Sequence, residues 1–213
     1  NIFLAQNDWN SKEISWDFKC NPLLTEYENS LEIAYMKYEK KCTENLQKMK
    51  KNEELLNSIF INAYGLSDEL KKDVDMKDIV LTQPDRKIII KEFVSYVVGC
   101  MFGRYSIDSP GLKYAGGRFD DTVYESYHPD SDGIIPIMDE AYFNDDIVGQ
   151  FEKIVKVVFG EATLEDNLAF IGDSLVSKGN TSREKIRNYF LSDFYNDHCN
   201  MYSLATSGKR PIY

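Results

Sequence analysis

The sequence predicts a mainly α-helical protein, with an elongated N-terminal helical arm and a compact helical domain that carries a loop-rich insert and a small β-hairpin. Over most of the chain, apolar residues recur every three or four positions, which is the spacing of one face of a helix. Glycine and proline concentrate instead in residues 106–138, where two β-prone runs at 122–124 and 134–137 favour a hairpin among loops. A chain of 213 residues, 43% of them hydrophobic, can bury one good core or two small ones.

The arm is predicted from the longest apolar stripe, which starts near Leu24 and continues to Gly65. Pro22 suits the first turn of such a helix, and Gly65 suits its C-terminal end. The pattern fits one helix of about forty residues, or two helices joined near residues 50–52, and either length implies an arm, a spacer or a hairpin. We therefore divide the chain into an N-terminal extended segment with the helical arm at 1–72 and a helical domain at 73–213.

The helical domain is predicted from four further periodic segments. A short strand or extended link at 79–81 precedes a helix at 84–103, whose apolar residues occupy nearly all faces and predict central burial. Amphipathic helices follow at 147–160 and 163–179. The capping box at Thr181–Glu184 then begins a last helix that extends to Met201.

Charge and cysteine content limit the classes of partner. The net charge of −10 argues against an independent nucleic-acid-binding module, so any contact with DNA must come from a local basic patch. The longest apolar run, 88–102, is shorter than a membrane span and contains Lys91 and Glu92, so we expect no membrane partner. The four cysteines have no close-spaced pair, which is typical of reduced thiols in a cytoplasmic protein.

Acidic clusters are the candidates for metal or catalytic chemistry. Residues 128–139 partly fit a calcium-binding loop, but His128 stands at the first position and the shorter Asp139 at the last, so we favour a plain acidic turn. The Asp pairs at 120–121 and 145–146 have no lysine at nuclease spacing and suit helix caps and turns. We predict no catalytic, cofactor-binding or metal-binding residue within the chain.

Basic residues supply the candidate DNA-binding sites. Six lysines crowd the arm helix against only Glu39 and Glu44, and they suit either a phosphate backbone or a solvated helix face. The glycine-rich loop after the central helix combines cations with Tyr105, Tyr114 and Phe119. The lysines of the arm are Lys37, Lys40, Lys41, Lys48, Lys50 and Lys51. The DNA-binding candidates are Arg104, Lys113, Arg118, Lys48, Lys50 and Lys51.

Five phrases of the sequence are distinctive in wording and order. They are FVSYVVGCMFGRYSIDSPGLKYAGG at 93–117, NDWNSKEISWDF at 7–18, NEELLN at 52–57, DGIIP at 132–136 and KRPIY at 209–213. Together they resemble the region downstream of the catalytic domain in the PglX family of adenine-specific DNA methyltransferases, which act in BREX phage defence and are related to type IIG restriction–modification enzymes.

The resemblance implies a parent enzyme that transfers a methyl group from S-adenosylmethionine to the exocyclic amine of adenine in DNA. Such an enzyme needs a glycine-rich loop after a strand and an Asn/Asp-Pro-Pro-Tyr/Phe motif. Here Asn21 and Pro22 match only the first two letters of that motif, and Gly99 and Gly103 lie within a helical pattern. We therefore expect a piece excised from a longer protein, with no cofactor in this fragment and S-adenosylmethionine bound upstream in the parent.

Three classes of function follow. The first is a non-catalytic spacer or target-recognition region that meets DNA through the parent enzyme. The second is an interaction scaffold that binds other subunits of the same defence system without touching DNA. The third, a free-standing hydrolase or nuclease, is disfavoured because the sequence supplies no set of nucleophile, base and metal ligands.

Overall fold

The computed structural model describes residues 1–203, and within that range it contains seven α-helices and no strand. The helices are α1 (Ile2–Asn10), α2 (Leu31–Tyr64), α3 (Arg86–Met101), α4 (Ile147–Phe159), α5 (Leu164–Leu175), α6 (Ser182–Ser192) and α7 (Phe194–Met201). The mainly α fold class is therefore confirmed. The KRPIY phrase at 209–213 lies outside the described residues. Among residues 1–203, none of the helices combines the length and the hydrophobicity that crossing a membrane requires.

The arm is one continuous helix of 34 residues, which makes α2 about 51 Å long. It begins later than the apolar stripe, because Asn21 caps a separate 3-10 turn at Pro22–Leu24 by accepting the N–H of Leu23 at 3.0 Å. Ser30 caps α2 itself. Gly65 ends it as predicted, in a left-handed conformation with φ of +67° that a side chain would disfavour.

The main core forms around α3, which is buried on nearly all faces as the sequence predicts. Asp85 caps this helix by accepting the N–H of Ile88 at 3.2 Å. In its middle, the ring of Phe93 packs against Phe151 and Phe159 of α4, at centroid distances of 6.5 and 6.1 Å. The first turn of α2 joins the same core. Helix α3 is therefore the element against which the rest of the protein is positioned.

A second, smaller core holds the middle of α2. There Leu46 and Met49 pack against Ile79 and Leu81, with support from Leu4, Ala5, Val74 and Met76. After Gly65 the chain returns alongside α2, since Asn57 donates to the carbonyl of Lys72 at 3.2 Å and Val74 donates to Glu54 at 3.3 Å. Residues 79–81 are thus an extended link, one of the two forms expected for them.

The C-terminal helices begin where the sequence predicts, but α5 ends at Leu175, four residues before the predicted end at 179. Thr181 caps α6 by accepting the N–H of Glu184 at 3.2 Å, while the Glu184 carboxylate accepts the N–H of Asn180. The prediction of one last helix to Met201 is wrong, because α6 ends at Ser192 and α7 begins at Phe194. The break places the ring of Phe194 against both Tyr189 and Phe190.

The predicted small β-hairpin is also wrong for the described residues. Residues Asp121–Val123 form a 3-10 turn, which Asp120 caps through the N–H of Thr122 at 3.1 Å. In the second run, the N–H of Ile134 donates to the carboxylates of Asp130 and Asp132, and Pro136 has no N–H. The edge of that run formed by residues 134 and 136 therefore has no N–H free for a strand ladder.

Candidate nucleic-acid interface

A groove of about 920 Å³ runs between α1, the segment at 17–26 and one face of α2. Its walls carry more cationic and amide side chains than acidic ones. The cations are Lys19, Lys37, Lys41 and Lys48, the amides are Asn1, Asn7, Asn10, Asn45 and Asn52, and the acids are Asp8, Asp17 and Glu26. Ammonium and amide groups along one groove suit an extended anionic ligand.

Helical spacing places the polar residues of α2 on this wall. Residues 41, 45, 48 and 52 are three or four positions apart and therefore share one face of the helix. The buried side chains of Leu46 and Met49 lie on another face and fix the rotation of α2 about its axis. Lys41 and Lys48 are thereby held towards the groove.

The charges in the groove are unequally compensated. Lys37 is paired with Glu28 and Glu26, and the hydrogen bond to Glu28 raises the pKa of its ammonium group. The Asp8 carboxylate accepts both the N–H and the hydroxyl of Thr82, at 3.1 and 2.9 Å. Within the described part of the chain, the ammonium groups of Lys19, Lys41 and Lys48 form no hydrogen bond or ion pair, and all three residues are exposed.

The structure separates the three lysines predicted together on the arm. Lys48 lines the groove. Lys50 pairs with Glu54 at 3.6 Å, on the side of α2 along which the chain returns. Lys51 is exposed but does not line the groove.

Arg104 occupies a structural position at the end of α3. Its guanidinium donates to the carboxylate of Glu13 at 3.3 Å and to the hydroxyl of Tyr202 at 3.1 Å. The side chain of Glu13 is only 3% exposed and also accepts the hydroxyl of Ser95 at 2.8 Å. Arg104 therefore neutralises a nearly buried carboxylate.

Lys113 and Arg118 lie on either side of an exposed turn at Gly116 and Gly117. Both glycines have positive φ angles, +102° and +87°, which side chains disfavour. Within residues 1–203 neither Lys113 nor Arg118 has a hydrogen-bonded or ion-paired side-chain partner. Arg118 is exposed and Lys113 is half-buried, so the loop carries two cations that no acidic side chain within residues 1–203 compensates.

Aromatic rings anchor this loop to the end of α3. Phe119 stacks on Tyr124, with centroids 5.2 Å apart and planes 7° apart, and Tyr114 meets Phe119 edge-on at 5.4 Å. The Tyr124 hydroxyl donates to the carbonyl of Gly103 at 2.5 Å. The tyrosine and phenylalanine rings therefore pack beneath the loop.

The loop and the groove are joined through the backbone. The N–H of Gly111, at the start of the glycine-rich loop, donates to the carbonyl of Lys19 at 2.6 Å. Lys19 is one of the unpaired cations of the groove, and sequence reasoning missed it because it lies in an irregular segment outside the helical periodicity of α2. For the wall formed by α2, the spacing of residues 41, 45, 48 and 52 was the signal in the sequence that could have predicted a shared polar face.

The chain is similar over its whole length to one part of two much longer proteins. It is 41% identical, over 220 residues, to 18% of the adenine-specific methyltransferase PglX of Lacticaseibacillus casei (strain Zhang). It is 34% identical, over 244 residues, to 19% of the adenine-specific methyltransferase BrxX of Escherichia coli O9:H4 (strain HS). The chain thus spans about a fifth of the length of these relatives, and no family model matches it. The resemblance to the PglX family is confirmed.

Proposed function

We propose that this chain is a non-catalytic, DNA-facing spacer or target-recognition region of a longer adenine-specific DNA methyltransferase in bacterial phage defence. The observation that carries the proposal is the similarity, over the entire chain, to one segment of two proteins named adenine-specific methyltransferases. The methyl transfer itself, and the cytoplasmic location expected for such an enzyme, belong to the proposed whole protein. The division of the chain at 72/73 stays a prediction.

We place the S-adenosylmethionine site of the proposed parent outside this chain, because the residues present do not fit it. The Asn21 side chain is buried and its carbonyl oxygen is committed to its own turn, so that oxygen is not free to hold an adenine amino group. Gly99 lies within α3, where an added Cβ would come within 2.7 Å of the Tyr105 ring. This glycine is therefore needed for the close packing of Tyr105 against α3. Gly116 and Gly117 follow no strand within the described residues, so they do not match the glycine-rich loop after a strand that such a cofactor site needs.

The described geometry supports contact with the DNA backbone through the groove. Lys19, Lys41 and Lys48 would each neutralise a phosphate and release counterions, which gives affinity that falls steeply with salt. The loop with Lys113 and Arg118 is hydrogen-bonded to the same wall through Gly111 and would reach a neighbouring part of the duplex. We leave Arg104 and Lys50 out of the proposed contact surface because their charges are paired.

The proposal is tested by removing two lysines from the groove side of α2 and, separately, two lysines from another side of the same helix. In the longer protein, we expect Lys41→Ala with Lys48→Ala to lower adenine methylation at moderate salt and to reduce the salt slope of DNA affinity by roughly 0.9 for each phosphate that is no longer neutralised. The matched control, Lys40→Ala with Lys51→Ala, removes the same charge from the same helix away from the groove. Equal effects of the two pairs on the slope would remove the groove from the DNA-facing surface.

The second candidate is the interaction scaffold, with other defence-system subunits as partners. One observation favours it: within residues 1–203, the far end of α2 leaves several large apolar side chains about half exposed or more. This surface is distinct from the groove, so both functions can coexist in one chain.

A further inference from the structure

The last turns of α2 carry an exposed apolar face. Leu55, Leu56, Ile59 and Phe60 are 61, 47, 54 and 57% exposed, and Tyr64 at the end of the helix is 73% exposed. The spacing of residues 55, 56, 59 and 60 places them on one broad side of the helix, and we call this set the distal face. A contiguous apolar surface of this kind marks an interaction site rather than ordinary solvent-exposed helix.

A small hollow extends the distal face beyond the end of the helix. It measures about 240 Å³ and lies between α2 and the turn that follows it. Phe60, Tyr64, Leu66 and Leu70 form its apolar walls. A hollow of this kind accepts one large side chain of an incoming segment, which is how a docking surface gains specificity.

The distal face continues an interior that already exists. Leu46 and Met49 are buried in the second core, where α1 and the returning chain cover them. Leu56 and Phe60 follow Met49 by seven and eleven residues and continue the same stripe. Their side chains lie beyond the segments that cover Leu46 and Met49. An apolar segment placed on the distal face would therefore lengthen the second core along α2.

We propose that the distal face docks an amphipathic, apolar segment of the same longer polypeptide, from outside residues 1–213. This inference rests on the proposed placement of the chain in a longer enzyme. The relatives are more than five times as long as the chain, and a tethered segment reaches an effective concentration that a separate copy does not. The stretch at 55–66 contains no charged residue, and charged residues are depleted at the buried centre of protein interfaces.

The occupant is identified by site-specific photo-crosslinking in the full-length protein. Phe60 is replaced by p-benzoylphenylalanine in a 1:1 mixture of ¹⁵N-labelled and unlabelled protein, and the crosslinked peptides are identified by mass spectrometry after irradiation. We expect crosslinks to peptides from outside residues 1–213, each pair carrying a single isotope composition. The matched control places the same group at Gln47, an exposed polar position of α2, where we expect these crosslinks to be absent.

Each other outcome overturns the proposal. Peptide pairs of mixed isotope composition identify a second copy as the occupant, and equal crosslinking from positions 60 and 47 shows that the distal face is not selective. No crosslinks from position 60, or crosslinks only within residues 1–213, show that no outside segment docks there. Adenine methylation by the same preparation tests the enzyme class separately, so a failure of the docking proposal is distinguishable from a failure of the proposed function.

Discussion

The two parts of α2, residues 31–52 and 53–64, have the same backbone geometry but different surroundings. In the first part, one side is buried in the two cores and another side lines the groove with Lys41 and Lys48. In the second part, the stripe that continues those lysines carries Leu55 and Ile59, which are 61 and 54% exposed. The same stripe of one helix is therefore suited to phosphates in its first part and to protein in its second part.

The largest expected effect compares two leucines of this helix. We expect Leu46→Ala to lower the free energy of unfolding of the 213-residue chain by about 2–5 kcal/mol, because it opens a cavity in the second core. We expect Leu56→Ala to change it by no more than about 1 kcal/mol, because that side chain is already half exposed and its removal opens no internal cavity. Urea unfolding measures both values, and similar losses would mean that the two parts of α2 are equally buried.

The next effect distinguishes the groove from the loop. In the longer protein, we expect Lys113→Ala with Arg118→Ala to weaken recognition by about 1–3 kcal/mol for each base that the side chains read directly, and to change the relative rates at different DNA sites. Loss of Lys41 and Lys48, which suit phosphates, should weaken binding evenly across sequences. Methylation rates on a panel of sites, at equal protein level, compare the two pairs. Unchanged methylation in the Lys113 and Arg118 double variant would favour the scaffold function.

The smallest expected effect uses a thiol in the groove wall. Burial raises the pKa of the Cys20 thiol, so less of it is thiolate at a given pH and its alkylation should be slow near neutral pH and faster as the pH rises. We expect bound DNA to slow this alkylation further, because it fills the groove. Mass spectrometry of iodoacetamide-treated protein follows the rate, with Cys20→Ser as the blank. An unchanged rate with saturating DNA would contradict occupancy of this end of the groove.

The helices could be predicted from the sequence because their signals are local. Residues within a few helical turns of one another are enough to define the apolar stripe of α2, the apolar residues on all faces of α3, and the caps at Asp85 and Thr181. The hairpin failed because Asp130 and Asp132 capture the N–H of Ile134, a competition that β-propensity does not include.

The groove and the distal face depended on contacts between remote segments. The hydrogen bond from Gly111 to Lys19 joins residues whose proximity no periodicity predicts. Likewise, the apolar stripe of the arm indicated burial along its whole length, whereas the second core covers it only to about Met49. Which part of an amphipathic helix is covered is decided by the tertiary structure, and the pattern alone does not contain it.

The unbroken course of α2 has a mechanical consequence. Residues 31–64 contain neither glycine nor proline, so the helix has no built-in hinge between its lysines and its tip. The tip extends about 22 Å beyond Met49, and a tilt of about 5° at that point displaces it by roughly 2 Å. A segment bound at the tip would therefore be connected to the groove by a stiff rod, and a change in the angle of α2 would be felt at both places.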